Sequence, residues 1–310
     1  MLAVMNTHDG IRVVGVDEPD GAGVRLSVAA AGICGTDVSF AAAGVSGFIY
    51  GHEFAGVDNE GTGYFVEPTI YGGECEECRT GNTQRCTEPG HGTLGIFSNG
   101  GMAEAVVVPE YTLLPLPAQL DARTACLIEP ASVAWHGVRR ARALPGERFL
   151  VIGGGSIGLL AGVAAQHQGL AVDVETRHEH QRAAAERLGF GRPQDAYDVV
   201  LDAAGTESSL ARSADAARPG GRIVSLGVYV TTMPVPGVES LTKELTYINS
   251  IAYARHDGRR EVAEVASLLA NRPEVAQTII THRYPMEDAA EAFRVAAARN
   301  AGAIKVVIEP

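Results

Sequence analysis

Lysine is almost missing from this sequence: Lys243 and Lys305 are the only two, so nearly all positive charge is guanidinium and no polybasic tail exists. Positive charge is scarce overall, with Lys plus Arg at 25 against Asp plus Glu at 37, for a net charge of −12. Such a surface repels phosphate backbones and argues against a nucleic-acid partner. The uncharged stretch Phe149–Ala165 is short for a bilayer span and is broken by Gly153-Gly154-Gly155-Ser156, so no membrane partner is expected. Met1 to Asn6 carries no basic flank ahead of an apolar core, which argues against a secretory signal and for a cytoplasmic location. Cysteine is sparse and odd in number, five in 310 residues. Three of the five crowd between positions 75 and 86, which suits metal ligation in a reducing compartment better than a disulfide framework.

Against these absences, 46% apolar and 20% charged residues with 37 glycines describe an ordinary globular chain rich in tight turns, and 310 residues suit two domains. Short apolar runs such as Arg25–Val28 and Ala105–Val108 between turn signals predict a β domain in the first third. From about Trp135 the pattern changes to apolar strands alternating with Ala/Arg-rich helices, the signature of a helix-covered parallel sheet. Strands are predicted at Phe149–Ile152, Ala171–Thr176, Asp198–Asp202, Arg222–Leu226 and near Tyr247–Ile251, with helices at Ser156–Gln166, Glu179–Leu188 and Glu207–Ala217. Pro219-Gly220-Gly221 reads as a stop signal after the last of these. Two amphipathic stretches, Gly258–Ala270 and Met286–Ala298, precede a strand-like Ile304–Ile308.

Gly153-Gly154-Gly155-Ser156-Ile157-Gly158 fits G-x-G-x-x-G between an apolar strand and a helix. There the first glycine permits the turn, the second lets a pyrophosphate approach, and the third lets strand and helix pack closely. The end of the second strand, Asp173-Val174-Glu175-Thr176-Arg177, should select the ribose: Glu175 suits NAD, Arg177 suits the 2′-phosphate of NADP, and strand alternation puts both on one face. NADP is favoured. Arg182 and Gly227 complete the expected cofactor set. Among metal-type residues, Cys75-x2-Cys78-x7-Cys86 is a zinc knuckle short of a fourth ligand, for which Glu74, Glu76, Glu77 and His91 are nearby candidates. Cys34 in Gly32–Asp37, His52-Glu53 in Gly51–Gly56, and Glu129-Pro130 form a second, dispersed group.

Taken in order, Gly32–Asp37, Gly51–Gly56, the Glu67-Pro68 to Cys86 lobe, Gly100–Glu104, Glu129-Pro130, Gly153–Gly158 and Thr281–Met286 resemble the zinc-containing medium-chain dehydrogenases/reductases, especially the polyol and threonine dehydrogenase branch. The resemblance implies an α/β chain: a GroES-like catalytic domain (1–131, with a return at 255–310) interrupted by a Rossmann domain (132–254), and an active site in the cleft between them. It implies Cys34 and His52 as catalytic zinc ligands, Glu53 and Glu129 as carboxylates of the same shell, and Lys305 as a contact to the cofactor pyrophosphate. Three departures stand out: Gly72 replaces the lobe's fourth cysteine, so the structural zinc at Cys75, Cys78 and Cys86 loses a ligand; Ser39 replaces a relay histidine; and the Cys34–His52 and Asp58–Phe65 segments are shortened. Arg177 occupies the ribose-acid position.

The expected activity is zinc-dependent oxidation of a secondary alcohol (a polyol, cyclitol or amino alcohol) by hydride transfer to the nicotinamide, or the reverse. Thr36 would be the first proton carrier and Ser39 or water the exit, while Asp37 orients the Cys34 loop. A small-molecule alcohol or ketone is the expected partner, in a homodimer or homotetramer formed through edge strands near Arg222–Ala252. A zinc-independent NADPH-dependent reductase or a non-catalytic nucleotide-binding sensor on the same fold stays open at this stage.

Overall fold

A computed structural model of the chain describes residues 1–96, 98–229, 232–298 and 300–310. The chain divides into two compact units, Met1–Glu129 with Ala254–Pro310 and Pro130–Tyr253. Among the described residues no helix is long and apolar enough to cross a membrane.

The first unit is built on a seven-stranded sheet. Its central strand, Val24–Gly32, pairs antiparallel with Glu53–Val57, with Ala105–Val108 and with the last strand of the chain, Lys305–Glu309. Alternation along Val24–Gly32, shifted by a bulge between Val28 and Ala30, turns Leu26, Val28 and Ala31 to one interior face. They join Tyr50, Phe54, Val66, Met102, Val106, Phe293 and Ile308 in a dry core. The return segment enters this sheet as two parallel strands, Ile280–Pro285 and Lys305–Glu309, connected by the helix Ala289–Ala297. The return is tied down by charge as well. Arg260 donates to Glu67 at 2.5 Å, to Leu113 O at 2.7 Å and to Thr112 O at 3.2 Å.

The second unit carries a five-stranded parallel sheet in the order Ala171–Glu175, Arg148–Ile152, Tyr197–Asp202, Ala217–Ser225, Thr246–Asn249. Helices Ser156–His167, Glu179–Arg187 and Glu207–Ala216 make the crossovers. The chain starts in the middle at Arg148–Ile152, winds one way to Ala171–Glu175, then reverses to Tyr197–Asp202. That reversal is the topological switch point at whose carboxyl edge such sheets bind ligands.

Two predicted features fall differently. Pro219-Gly220-Gly221 follows the end of the helix Glu207–Ala216, as expected, but it is not a free loop. It lies within the strand Ala217–Ser225, where the register jumps from Tyr197↔Ala217 to Val199↔Arg222. Gly220, at φ +73°, takes the left-handed turn of this bulge. The periodic stretch at 286–298 begins as a 3-10 turn, Met286–Asp288, before the helix Ala289–Ala297. The helices Ile128–Arg140 and Pro273–Ile279 and the strand Ile280–Pro285 went unassigned in the sequence, because uniformly buried or short segments give little periodic contrast.

The glycines of the loop after Arg148–Ile152 divide their work in a way that can be measured. A Cβ on Gly158 would lie 1.8 Å from the carbonyl oxygen of Gly153, a backbone atom that cannot step aside. A Cβ on Gly155, at φ −76°, would meet nothing within 4 Å. Gly158→Ala is therefore expected to cost about 3 kcal/mol or more of stability. Gly155→Ala should stay within about 0.5 kcal/mol. Urea unfolding of both variants checks this, and equal losses would refute it.

Candidate functional site

Cys34 sits where the strand Val24–Gly32 hands over to the helix Gly35–Ala42, in extended backbone at the helix N-cap. Asp37, in the first turn of that helix, folds back to hold it: its Oδ2 accepts the Cys34 N–H at 2.9 Å. Its Oδ1 lies 3.5 Å from Nδ1 of His52, with both side chains buried. Asp37 thus orients both the Cys34 backbone and the His52 ring. His52 and Glu53 enter the strand Glu53–Val57 after Gly51, at φ +98°, where any Cβ would strike Met102 at 2.6 Å. Cys34, His52 and Glu53 each offer a ligand atom, all within 4.8 Å of one another.

Glu53 faces Gly32 across the strand pair, and a Cβ at Gly32 would lie 2.3 Å from its Oε2. The glycine makes the room that the carboxylate fills. Lys305 arrives from the last strand and donates to both carboxylate oxygens of Glu53, at 2.6 and 2.7 Å, and to Ile33 O at 3.1 Å. Burial works against the Lys305 charge, but Glu53 and Cys34 outweigh it and its pKa is raised. The donors of Lys305 are thus taken up inside the first unit, where it neutralises a buried carboxylate.

Burial likewise favours a neutral His52, yet the Cys34 thiol and the Asp37 carboxylate hold its pKa well above the usual range. Glu129, buried in the first turn of Ile128–Arg140, lies outside the compact trio but feels it. Burial pushes its carboxyl up to about 7, helped by Glu53 and Asp37 and opposed by His52 and Lys305. Thiolate, imidazole and carboxylate are a donor set that suits zinc with a position left open. Asp37 Oδ1 and His52 Nδ1, buried and without hydrogen-bond partners, face each other as carboxylate–histidine pairs do behind a metal. Thr36 is half-buried in the first helical turn, while Ser39 is exposed and donates to Gly35 O at 2.9 Å.

The cysteine lobe gathers as well, with a partner that sequence reasoning missed. Cys75, Cys78, Cys86 and Glu88 offer ligand atoms within 4.8 Å of one another. The earlier candidates are placed elsewhere. Glu74 pairs with Arg79 and Glu77 with Arg85, Glu76 is exposed, and His91 Nδ1 meets the Glu88 carbonyl oxygen at 2.6 Å. Hydrogen bonds from backbone near Thr87 and Cys78 hold the Cys75 thiol at about 7, whereas burial and the neighbouring thiols push Cys78 up to about 12. Cys126 is a fully buried core residue.

In the second unit, Ser156, Ile157 and Gly158 open the helix behind the N-cap Gly155, so backbone N–H groups point into the space beside Gly155. That open cradle at a helix N-terminus fits a pyrophosphate. Asp202, fully buried at the end of the third strand in sequence, braces the switch point. Its Oδ1 accepts from Ala204 N at 2.9 Å and Gly205 N at 3.3 Å, and its Oδ2 from Tyr229 Oη at 2.6 Å and Ser209 Oγ at 3.1 Å. An acidic residue closing an apolar strand was its only sequence signal. Gly227 does not face open space. A Cβ there would lie 2.2 Å from Gly205 Cα, so the close backbone approach requires glycine.

The ribose end differs from the alternation argument in one respect. The strand stops at Glu175, so Arg177 lies beyond the pleat that would fix its side, and it is exposed. Glu175 is held by Arg212 Nε at 2.9 Å. Thr176 packs against Gly154, whose Cβ would lie 2.7 Å from Thr176 Cγ2, and Arg182 pairs with Glu179 at 3.2 Å.

The Glu53–Lys305 pair generates a direct test. Lys305→Met strands a buried carboxylate and should cost about 3–5 kcal/mol, whereas the double variant with Glu53→Gln should recover most of it. Denaturant titration reads both. A single-variant loss below about 1 kcal/mol would contradict the pairing's importance.

Comparison with known proteins converges on this picture. Residues 20–118 match the family model of the alcohol dehydrogenase GroES-like domain, and residues 170–308 that of the zinc-binding dehydrogenase. L-galactonate-5-dehydrogenase of Escherichia coli is 29% identical over 314 residues, covering 91% of this chain and 90% of that protein. 2-dehydro-3-deoxy-L-galactonate 5-dehydrogenase of Pseudoalteromonas atlantica is 31% identical over 280 residues, covering 80% and 82%. Among solved structures, galactitol-1-phosphate dehydrogenase from Escherichia coli superposes with a TM-score of 0.89 at 26% identity, covering 100% of both chains. A Sinorhizobium meliloti chain, described as a zinc-binding dehydrogenase bound to NADP, gives 0.86 at 27% identity over 100% of this chain and 99% of its own. The GroES-like sheet, the parallel nucleotide-type sheet and these relatives together place the chain in the zinc-type medium-chain dehydrogenase family, as an oxidoreductase acting on the CH–OH group of secondary alcohols.

Proposed function

We propose that this chain is a zinc-dependent, NADP-linked dehydrogenase that interconverts the secondary alcohol of a small polyol or sugar acid and its ketone. The observation that carries the reading is the convergence of Cys34 with His52 and Glu53, from two separate segments, to within 4.8 Å of one another. The substrate class is supported by relatives named for L-galactonate and 2-dehydro-3-deoxy-L-galactonate. Cys34, His52 and one carboxylate, Glu53 or Glu129, would hold the ion. When bound, zinc supplies Lewis acidity that eases loss of the substrate hydroxyl proton, and the nicotinamide supplies the hydride acceptor.

The chain's own residues do the rest. Asp37 holds the Cys34 loop by its backbone N–H and places its other oxygen against the His52 ring, where it favours one ring orientation. Lys305 balances the charge of Glu53 through both carboxylate oxygens. Thr36, two residues past Cys34, accepts the substrate proton, and Ser39, one turn further along the same helix face, meets solvent. In the second unit the backbone beside Gly155 binds the pyrophosphate. At the ribose, Arg212 occupies the carboxylate of Glu175 and leaves the exposed Arg177 for a 2′-phosphate, which supports NADP over NAD.

A homodimer or homotetramer is supported by the edge strand Thr246–Asn249 with the exposed Val238, Leu241 and Ile251 nearby in sequence. A cytoplasmic location is supported by five free cysteines.

His52→Ala is expected to remove catalytic zinc and turnover while NADPH fluorescence titration stays close to wild type. Thr36→Val should lower kcat with zinc content unchanged. Normal turnover by the His52 variant would transfer the case to the zinc-independent reductase. Assays of polyols and sugar acids with NADP and NAD, followed by nicotinamide absorbance, define the substrate.

Arg177→Asp should shift the kcat/KM ratio from NADP towards NAD by tenfold or more, about the effect of one lost charged pair. An unmoved ratio would refute the ribose assignment.

A further inference from the structure

We infer that Glu88 stands in for the cysteine missing at position 72, so that the lobe's structural metal is held by three thiolates and this one carboxylate. The site shares no residue with the Cys34–His52 trio and does not rest on the catalytic reading.

The argument is spatial. A Cβ built on Gly72 would lie 2.6 Å from Cδ and Oε2 of Glu88 and 2.8 Å from its Oε1. The carboxylate therefore fills the volume a side chain at position 72 would enter. It is aimed there by the backbone: Glu88 Oε2 accepts the N–H of Glu74 at 3.0 Å and of Cys75 at 3.2 Å. The same oxygen lies 3.6 Å from Cys86 Sγ, and Cys75 Sγ lies 4.0 Å from Cys86 Sγ, in contact but not bonded. Zinc in structural sites is four-coordinate, accepts carboxylate oxygen, and loses no formal ligand charge when a carboxylate replaces a thiolate. The remaining acids of the lobe are exposed or paired with arginine, so Glu88 is the carboxylate available to the thiols.

An ion there would have a mechanical role. Gly81, between Cys78 and Cys86, accepts the Arg255 N–H at 2.7 Å, and Arg255 Nη2 donates to Tyr71 Oη at 2.7 Å. Clamping residues 75 to 88 therefore stiffens the seat on which the start of the return segment rests.

The test uses the full-length protein purified with zinc, in a His52→Ala background that removes the catalytic ion. Metal analysis is expected to find one zinc per chain, absent after a further Cys78→Ser change. Adding Glu88→Gln should make that zinc pass to a chromogenic chelator roughly tenfold faster or more. The swap G72C/E88A should restore slow release. In the cobalt-substituted form it should also strengthen the thiolate charge-transfer absorbance, because a fourth thiolate replaces the carboxylate. Absence of zinc from the His52→Ala protein, or unchanged release from the Glu88→Gln variant, would overturn the inference. A wild-type chain whose single zinc is lost with Cys78→Ser but kept with His52→Ala would support it while refuting the catalytic site.

Discussion

Too much negative charge is buried at one end of the first unit for one lysine to balance, and much of the rest of the structure follows from that constraint. Asp37, Glu53 and Glu129 are each nearly inaccessible, and Cys34 and His52 adjoin them. Burying a carboxylate without a partner costs several kcal/mol, so the fold must supply positive charge or let the group take a proton. Lys305 is committed to both carboxylate oxygens of Glu53 and to Ile33 O. His52 is driven towards its charged form by Cys34 and Asp37, and Glu129 is pushed towards its neutral one. Each of these shifts is a local response to burial and to the crowded charges around it. A divalent ion among Cys34, His52 and Glu53 would answer them together, which is why the arrangement reads as a metal site rather than as a structural salt-bridge cluster.

The sheet determines where that charge collects. Gly32 pairs with Glu53 on one side and Val307 on the other, so the two strands flanking the central one deliver Glu53 and Lys305 to the same place. Gly32 must be glycine for the carboxylate to fit, and the helix that starts two residues after Ile33 carries Asp37 back over Cys34. The C-terminal return is therefore part of the site. Without its last strand, Glu53 would have no counter-charge.

Much of this was legible beforehand because it rests on residues close in sequence or on strong local patterns. The glycine loop announced a strand, a turn and a helix, and the structure supplies them, with φ +111° at Gly153 and contact-limited packing at Gly158. Cys34, His52 and Glu53 could be singled out by residue type, though only the sheet register brings them together. What stayed hidden depends on pairings across long sequence separation or on where a regular element stops. Nothing local links Lys305 to Glu53, 252 residues away. Arg212 takes up Glu175 from a different helix. Arg177 escaped the alternation rule because the strand ends two residues before it.

The cysteine lobe shows the same lesson in its sharpest form. Read along the chain, glycine at position 72 is a deletion, and the knuckle looks incomplete. Read in space, the volume in front of Gly72 is occupied by a carboxylate sixteen positions later, anchored by the backbone that precedes Cys75. Coordination depends on where a donor atom lies and not on its place in the sequence. A lost ligand can therefore be compensated by a residue that no spacing rule would consult. The physical requirement is only that the donor reach the vacated corner without strain. Glu88 meets it with backbone N–H groups that already hold its carboxylate in place.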